Sequence, residues 1–98
     1  MSDLRFEWDA AKDYANQRKH RVSFEEAQTV FGDEQALLIH DPDHSEEEDR
    51  FVLLGLSSSL RTIVVCHCCR EEDNVIRIIS ARKANRRERL IYTQRWHR

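Results

Sequence analysis

The chain has 98 residues, with 16 Lys+Arg against 18 Asp+Glu and a formal charge of −2, so its total composition does not mark a polyanion binder. A 40% hydrophobic content suits a single domain over residues 1–98 that buries roughly 60–65% of its unfolded surface. Two glycines, one proline and no apolar run near the ~20 residues of a membrane span exclude collagenous, linker-rich and transmembrane classes. The near-neutral total hides a split. Residues 1–49 carry five basic and 14 acidic residues (−9), and residues 50–98 carry 11 basic and four acidic ones (+7), which hints at a polyanion-facing surface.

Met1-Ser2-Asp3-Leu4-Arg5 runs straight into charged sequence without the apolar stretch of a signal peptide. Cys66, Cys68 and Cys69 are odd in number and nearly adjacent, a poor disulfide framework that fits a reducing compartment. A cytoplasmic location is expected.

In chain order, Phe6-Glu7-Trp8 reads as a short strand, and Asp9 is the N-cap of a helix from Ala10 to Arg18 that ends in the polar loop Lys19-His20-Arg21. Ser23-Phe24-Glu25-Glu26 has capping-box spacing, with Val22 and Ala27 as a hydrophobic staple, and predicts a helix over Phe24 to Phe31 stopped by Gly32. The period then changes. Ala36 to His40 reads as a strand and Asp41-Pro42-Asp43-His44-Ser45 as a turn. Arg50 to Leu56 and Thr62 to Cys68 form a hairpin about Ser57-Ser58-Ser59, and Arg70 to Asn74 turns into an interior strand, Val75 to Ser80. Asn85 and Glu88 are spaced as a further capping box, starting a helix from Arg86 to Trp96 with Leu90, Ile91 and Trp96 toward the core. The expected class is α+β, ordered β-α-α-β-β-β-β-α, with a mainly antiparallel sheet.

Residues 77–98 hold eight basic residues and one acidic one, and Arg77, Arg82, Lys83, Arg86, Arg87 and Arg89 cluster at the junction of the last strand and helix. Arginine suits bidentate phosphate contact, although a solvated helix face explains such a run equally well. Arg77 alternates with apolar Val75 and Ile79, so its guanidinium needs an anionic partner or a cleft; a salt bridge to a carboxylate such as Glu71 is the structural alternative. Glu71 and Glu72 follow Arg70 in a turn, and His67 lies on the neighbouring strand. A carboxylate or imidazole beside several arginines would make an acid/base pair with a phosphate clamp, whereas turn carboxylates are usually only solvated. Lys19-His20 can contact phosphate or simply complement the helix dipole.

Cys66, His67, Cys68 and Cys69 suggest zinc, but the pleat sends Cys66 and Cys68 to one face and His67 and Cys69 to the other. Buried small hydrophobes account better for the thiols. The acidic run Glu46 to Asp49 lacks calcium-loop spacing and reads as a solvated surface or one met by a basic partner. No metal or other cofactor is expected.

Taken together, Phe6-Glu7-Trp8-Asp9, Asn16 with Lys19-His20, Val22 to Ala27, Asp41 to Ser45, Glu48-Asp49-Arg50-Phe51 and above all Ile76 to Ala84 followed by Arg86-Arg87-Glu88-Arg89 resemble the BrnT family of type II toxin–antitoxin toxins, small proteins with a RelE-like fold. The resemblance runs from about Phe6 to Tyr92 and departs from the family at Arg21, where glycine is usual, and at the thiols. It implies a ribonuclease toxin that inhibits translation and is neutralised by a BrnA-like ribbon-helix-helix antitoxin. The two would form a heterotetramer that meets operator DNA only through the antitoxin. In a metal-independent ribonuclease, Glu71 or His67 would take the 2′-OH proton, Arg70, Arg77 and Arg82 would hold the phosphate, and Lys83 would support them. Lys19 or His20 would supply the acid or a further RNA contact, with Arg86 and Arg87 also on RNA. The alternative is a non-catalytic binding module within a toxin–antitoxin repressor complex.

Overall fold

The computed structural model describes residues 4–40, 50–70 and 74–94, without the side chains of His40 and Arg70. Asp9 starts the first helix, its Oδ1 accepting from the backbone N–H groups of Ala11 (2.7 Å) and Lys12 (3.1 Å) that have no partner inside the helix. This helix, α1 (Ala10–His20), ends at Arg21 in the left-handed conformation with φ 60°, and the Arg21 N–H donates to the Gln17 carbonyl. The backbone therefore keeps the geometry for which glycine is the usual residue.

Ser23 caps α2 (Phe24–Thr29), its Oγ accepting from the Glu26 N–H at 3.0 Å. Glu26 does not complete the expected box. Its carboxylate turns to Arg61 and to the Ser57 hydroxyl instead (2.7 Å), joining α2 to the hairpin that follows. The expected second helix tightens into a 3₁₀ turn at Val30–Gly32.

Strands β1 (Arg5–Glu7), β2 (Leu37–His40), β3 (Arg50–Leu56), β4 (Thr62–Arg70) and β5 (Val75–Lys83) form one sheet in the order β1-β5-β4-β3-β2. The four later strands make the expected antiparallel meander, while β1 joins β5 in parallel, so the sheet is mixed. That parallel pairing comes from the α1–α2 crossover and has no local sequence signature. β5 runs three residues past its expected end, so Arg82 and Lys83 are strand residues.

One sheet face packs against α1 and α2 through Leu53, Ile63, Val65, Ile76, Ile78 and Ala81, meeting Val22, Phe24, Ala27 and Val30. Gly55 on this face allows the 3₁₀ turn to approach, since an added Cβ would lie 2.8 Å from Val30 Cγ1 and 2.9 Å from Ala36 Cβ. The opposite face is sealed at one end by α3 (Arg86–Gln94), where Tyr92 meets Leu54, Val64 and Ala84. Leu90 and Ile91, expected to face the core, are exposed, and Tyr92 is buried instead. Its hydroxyl donates to Asp33 Oδ2 at 2.5 Å, an acceptor that fixes the rotation of α3 and that periodicity alone does not reveal. Trp96 lies outside the described residues. The expected capping box of α3 is complete: the Glu88 N–H donates to Asn85 Oδ1 and the Asn85 N–H to Glu88 Oε1, both at 2.8 Å.

Candidate functional site: an arginine row on the open sheet face

Arg77 and Arg82 are five residues apart, an odd spacing that in a regular strand sends two side chains to opposite faces. A β-bulge intervenes. Cys66 pairs with Ser80 and His67 with Ile78, so Ile79 has no partner in the ladder. The extra residue restores parity: Arg77 pairs with Cys68 and Arg82 with Val64, two β4 residues an even number apart, and both arginines face away from α1 and α2.

On that face the register lines up Glu7, Arg77, Cys68 and Arg50 across β1, β5, β4 and β3. Arg50, half-buried and not singled out as a site residue by the sequence reading, thus stands on the far side of Cys68 from Arg77. Two inter-strand spacings separate their Cα atoms, about 10 Å, enough for a phosphate between two guanidinium groups. The signal for Arg50 lay in strand register, which a single sequence does not display.

Arg77 has the anionic partner that its apolar strand demanded. Its Nη1 donates to Glu7 Oε2 at 3.1 Å, and more than a third of each side chain remains exposed. Among the described residues that carboxylate is Glu7; Glu71, the example the sequence offered, lies outside them. Arg82 is held by both carboxylate oxygens of Glu88, at 2.8 Å each, and this pairing holds the Glu88 carboxyl below its ordinary range and raises the Arg82 guanidinium. The arginine face and the start of α3 are therefore one hydrogen-bonded unit, with exposed Arg86 and Arg87 in the first turn beyond it.

The other candidates go elsewhere. His67, expected beside the arginines, faces the helices at 3% exposure. It packs against Phe31 (ring centroids 4.8 Å) and Phe51 (6.1 Å). Burial pushes its imidazole below the ordinary 6.5, against a weaker opposing contact with the Val65 carbonyl. On the opposite face of the sheet from Arg77, it cannot share a phosphate with that arginine.

Lys19 and His20 occupy the last turn of α1, and exposed Lys83 alternates with Arg82 so that it falls on the helix side of β5. Arg70 closes β4 two residues beyond Cys68, and Glu71 and Glu72 lie outside the described residues. Of the thiols only Cys68 is buried; Cys66 is half-buried and Cys69 exposed. Among the described residues no group of three His, Cys, Asp or Glu is arranged to hold a metal, and no helix is long and apolar enough to cross a membrane.

The chain is thus a small α+β protein with an arginine-lined sheet face, and comparison with known proteins gives its family. A family model described as the ribonuclease toxin BrnT of type II toxin–antitoxin systems matches residues 8–88, and the chain belongs to that family. The crystal structure of the Brucella abortus ribonuclease toxin BrnT superposes with a TM-score of 0.64 at 21% identity, covering 85% of this chain and 99% of that one. At that identity the likeness speaks for the fold. A comparison with curated proteins finds no match.

Proposed function

We propose that the protein cleaves RNA by attack of a 2′-OH on the adjacent phosphate, without a metal, and that the reaction takes place on the arginine row. The observation that carries this reading is the strand register that aligns Glu7, Arg77 and Arg50 on one face, to which the bulge at Ile79 adds Arg82. Bulges recur next to active sites because they re-aim side chains.

Glu7 takes the 2′-OH proton as the 2′ oxygen bonds to phosphorus, and Arg77 and Arg50 stabilise the charge of the pentacoordinate phosphorane. The P–O5′ bond breaks to leave a 2′,3′-cyclic phosphate, and the departing oxygen takes its proton from solvent. Arg82, Arg86 and Arg87 guide the flanking backbone. Arg70 and Glu71 keep their proposed roles as a further phosphate contact and a further carboxylate, whereas the geometry withdraws support from His67 as the base. A BrnA-like ribbon-helix-helix antitoxin neutralises the protein in the cytoplasm as a heterotetramer.

The test incubates antitoxin-free protein with RNA in EDTA. Cleavage leaving cyclic phosphate ends is expected, reduced about 10²–10³-fold in Arg77→Ala and Glu7→Gln proteins of unchanged circular dichroism. Intact RNA at high enzyme excess overturns the reading. One observation favours the non-catalytic alternative: Arg77 and Arg82 are both already ion-paired, as structural arginines would be. In that case both variants would bind RNA or partner more weakly while the parent cleaves nothing.

A further inference from the structure

Arg61, Arg77 and Arg82 each meet a carboxylate, whereas the guanidinium groups of Arg18 and Arg21 have no such partner among the described residues. Tyr14, Gln17, Arg18 and Arg21 recur at i, i+3, i+4 and i+7, which puts them on one side of α1 and its C-cap. All four are exposed, and they line a cavity of about 390 Å³. The carboxylate nearest in sequence, Asp13, is engaged elsewhere, its Oδ1 accepting from the Phe24 N–H at 2.9 Å and the Gln17 amide at 3.2 Å.

Tyr14 is 63% exposed. Arg18 Nη1 donates to its hydroxyl at 3.1 Å, and Arg18 Cζ stands 5.7 Å from the ring centroid, beyond the roughly 3.5–4.0 Å at which stacked atoms touch. The guanidinium thus steadies the hydroxyl end of the ring and leaves its face open. Cations in the last turn of a helix complement its dipole, which accounts for Arg18, Lys19 and His20 taken alone. It does not account for an aromatic ring turned to solvent, nor for an arginine at φ 60° where glycine is less strained. The Arg21 carbonyl that Arg61 uses would be the same on any residue, so the side chain kept at this position is left to a ligand.

An open tyrosine face between two arginines suits alternating bases and phosphates: bases stack on the ring with little regard to sequence, and guanidinium groups hold phosphate bidentately. An acidic peptide would use the cations but bring no planar group to the ring. Asn16, on the opposite side of α1 from Tyr14, is bonded to Ala81 of β5, the residue before Arg82. Tyr14 therefore lies one helix diameter, about 10–12 Å, beyond the strand edge next to Arg82, where a nucleic-acid strand leaving the arginine row would pass.

We infer that the outer face of α1 is a second contact for single-stranded RNA, with a base stacked on Tyr14 and the adjoining phosphates on Arg18 and Arg21. This rests on the ribonuclease reading for the identity of the strand and extends its path beyond the arginine row.

The probe is a 2′-O-methyl oligouridine dodecamer, which lacks the attacking hydroxyl and so stays intact. It is compared with a dodecamer of the same backbone without bases, with uridine monophosphate and with hexaglutamate. Fluorescence anisotropy should show Tyr14→Ala weakening the oligouridine about tenfold and the baseless oligomer little, with Tyr14→Phe close to the parent. Arg21→Gly should weaken both oligomers several-fold and lower the salt slope by about 0.7 while its Tm rises, so that lost binding is not lost fold. An oligouridine that does not bind, or whose affinity none of these variants changes, overturns the inference, as does a Tyr14→Ala loss equal on both oligomers. Uridine monophosphate bound as tightly as the dodecamer would mark a site for free nucleotides, and hexaglutamate bound as tightly would mark one for an acidic protein segment; either result also overturns it. Cleavage of unmodified RNA by the same preparations separates the two failures. A parent that cleaves, with variants that bind as it does, removes only the α1 contact; a parent that cleaves nothing, with variants that bind weakly, removes only the ribonuclease reading.

Discussion

Arg21 holds a left-handed backbone at φ 60° without a glycine's freedom, and what it contributes to the fold is its carbonyl, which accepts from Arg61 Nη2 at 3.1 Å. Arg21→Gly keeps that acceptor and removes the Cβ clash, so stability should rise by about 1 kcal/mol. In a domain of this size that is a gain of roughly 4–8 °C in Tm, readable by thermal unfolding. His67 gives the opposite lesson, a titratable group whose burial opposes its charged form. Its folded value is depressed, so the unfolded chain binds the extra proton. The stability from keeping the ring neutral is complete above about 6.5 and is lost as pH falls through the folded value. Urea midpoints should drop from pH 7.5 to 5.5 in the parent and drop less in His67→Phe; equal slopes would assign the loss to other groups. The sequence identified His67 as a residue with chemistry but could not show which way it faced relative to Arg77, because the register that pairs His67 with Ile78 and Cys68 with Arg77 is a property of paired strands.

β1 is only three residues long, so the outer edge of β5 would be bare beyond Arg77. Asn16 of α1 takes the place of the missing neighbour. Its Nδ2 donates to the Ala81 carbonyl (2.8 Å) and the Val22 carbonyl (2.8 Å), and its Oδ1 accepts from the Ala81 N–H (3.1 Å). The tie sits next to Arg82, so α1 helps set the strand segment that carries the arginines. Asn16→Ala leaves these buried backbone groups without partners and should cost about 2–4 kcal/mol, measured as a lower urea midpoint at unchanged m-value. At the same scale, the Asn85–Glu88 box and the Asp9 and Ser23 caps were legible because capping is local and works through residues two or three apart. The rotation of α3 was not legible, since Asp33 and not apolar periodicity decides that Tyr92 is buried and Leu90 exposed.

Across the whole molecule the −9/+7 division of charge gathers the basic residues in the later half of the chain. If RNA lies on the arginine row, binding releases counterions and weakens steeply with salt, by about 0.7 in log–log slope for each phosphate of a single strand that is neutralised. Arg77→Ala should lower that slope by roughly one phosphate's share. Fluorescence anisotropy between 50 and 200 mM salt would measure it, and an Arg77→Ala slope equal to the parent's would remove Arg77 from the phosphate contacts. The order of elements, the three helix caps, the antiparallel meander and the concentration of arginine near the C-terminus were all determined by the sequence, since each depends on neighbours along the chain. Which arginines share a face, that Arg50 joins them and His67 does not, and that Glu7 stands beside Arg77 were decided only by tertiary structure. The reason is register: a single unpaired residue at Ile79 and a parallel pairing with β1 set which side chains converge, and neither is a property of any stretch of chain taken alone.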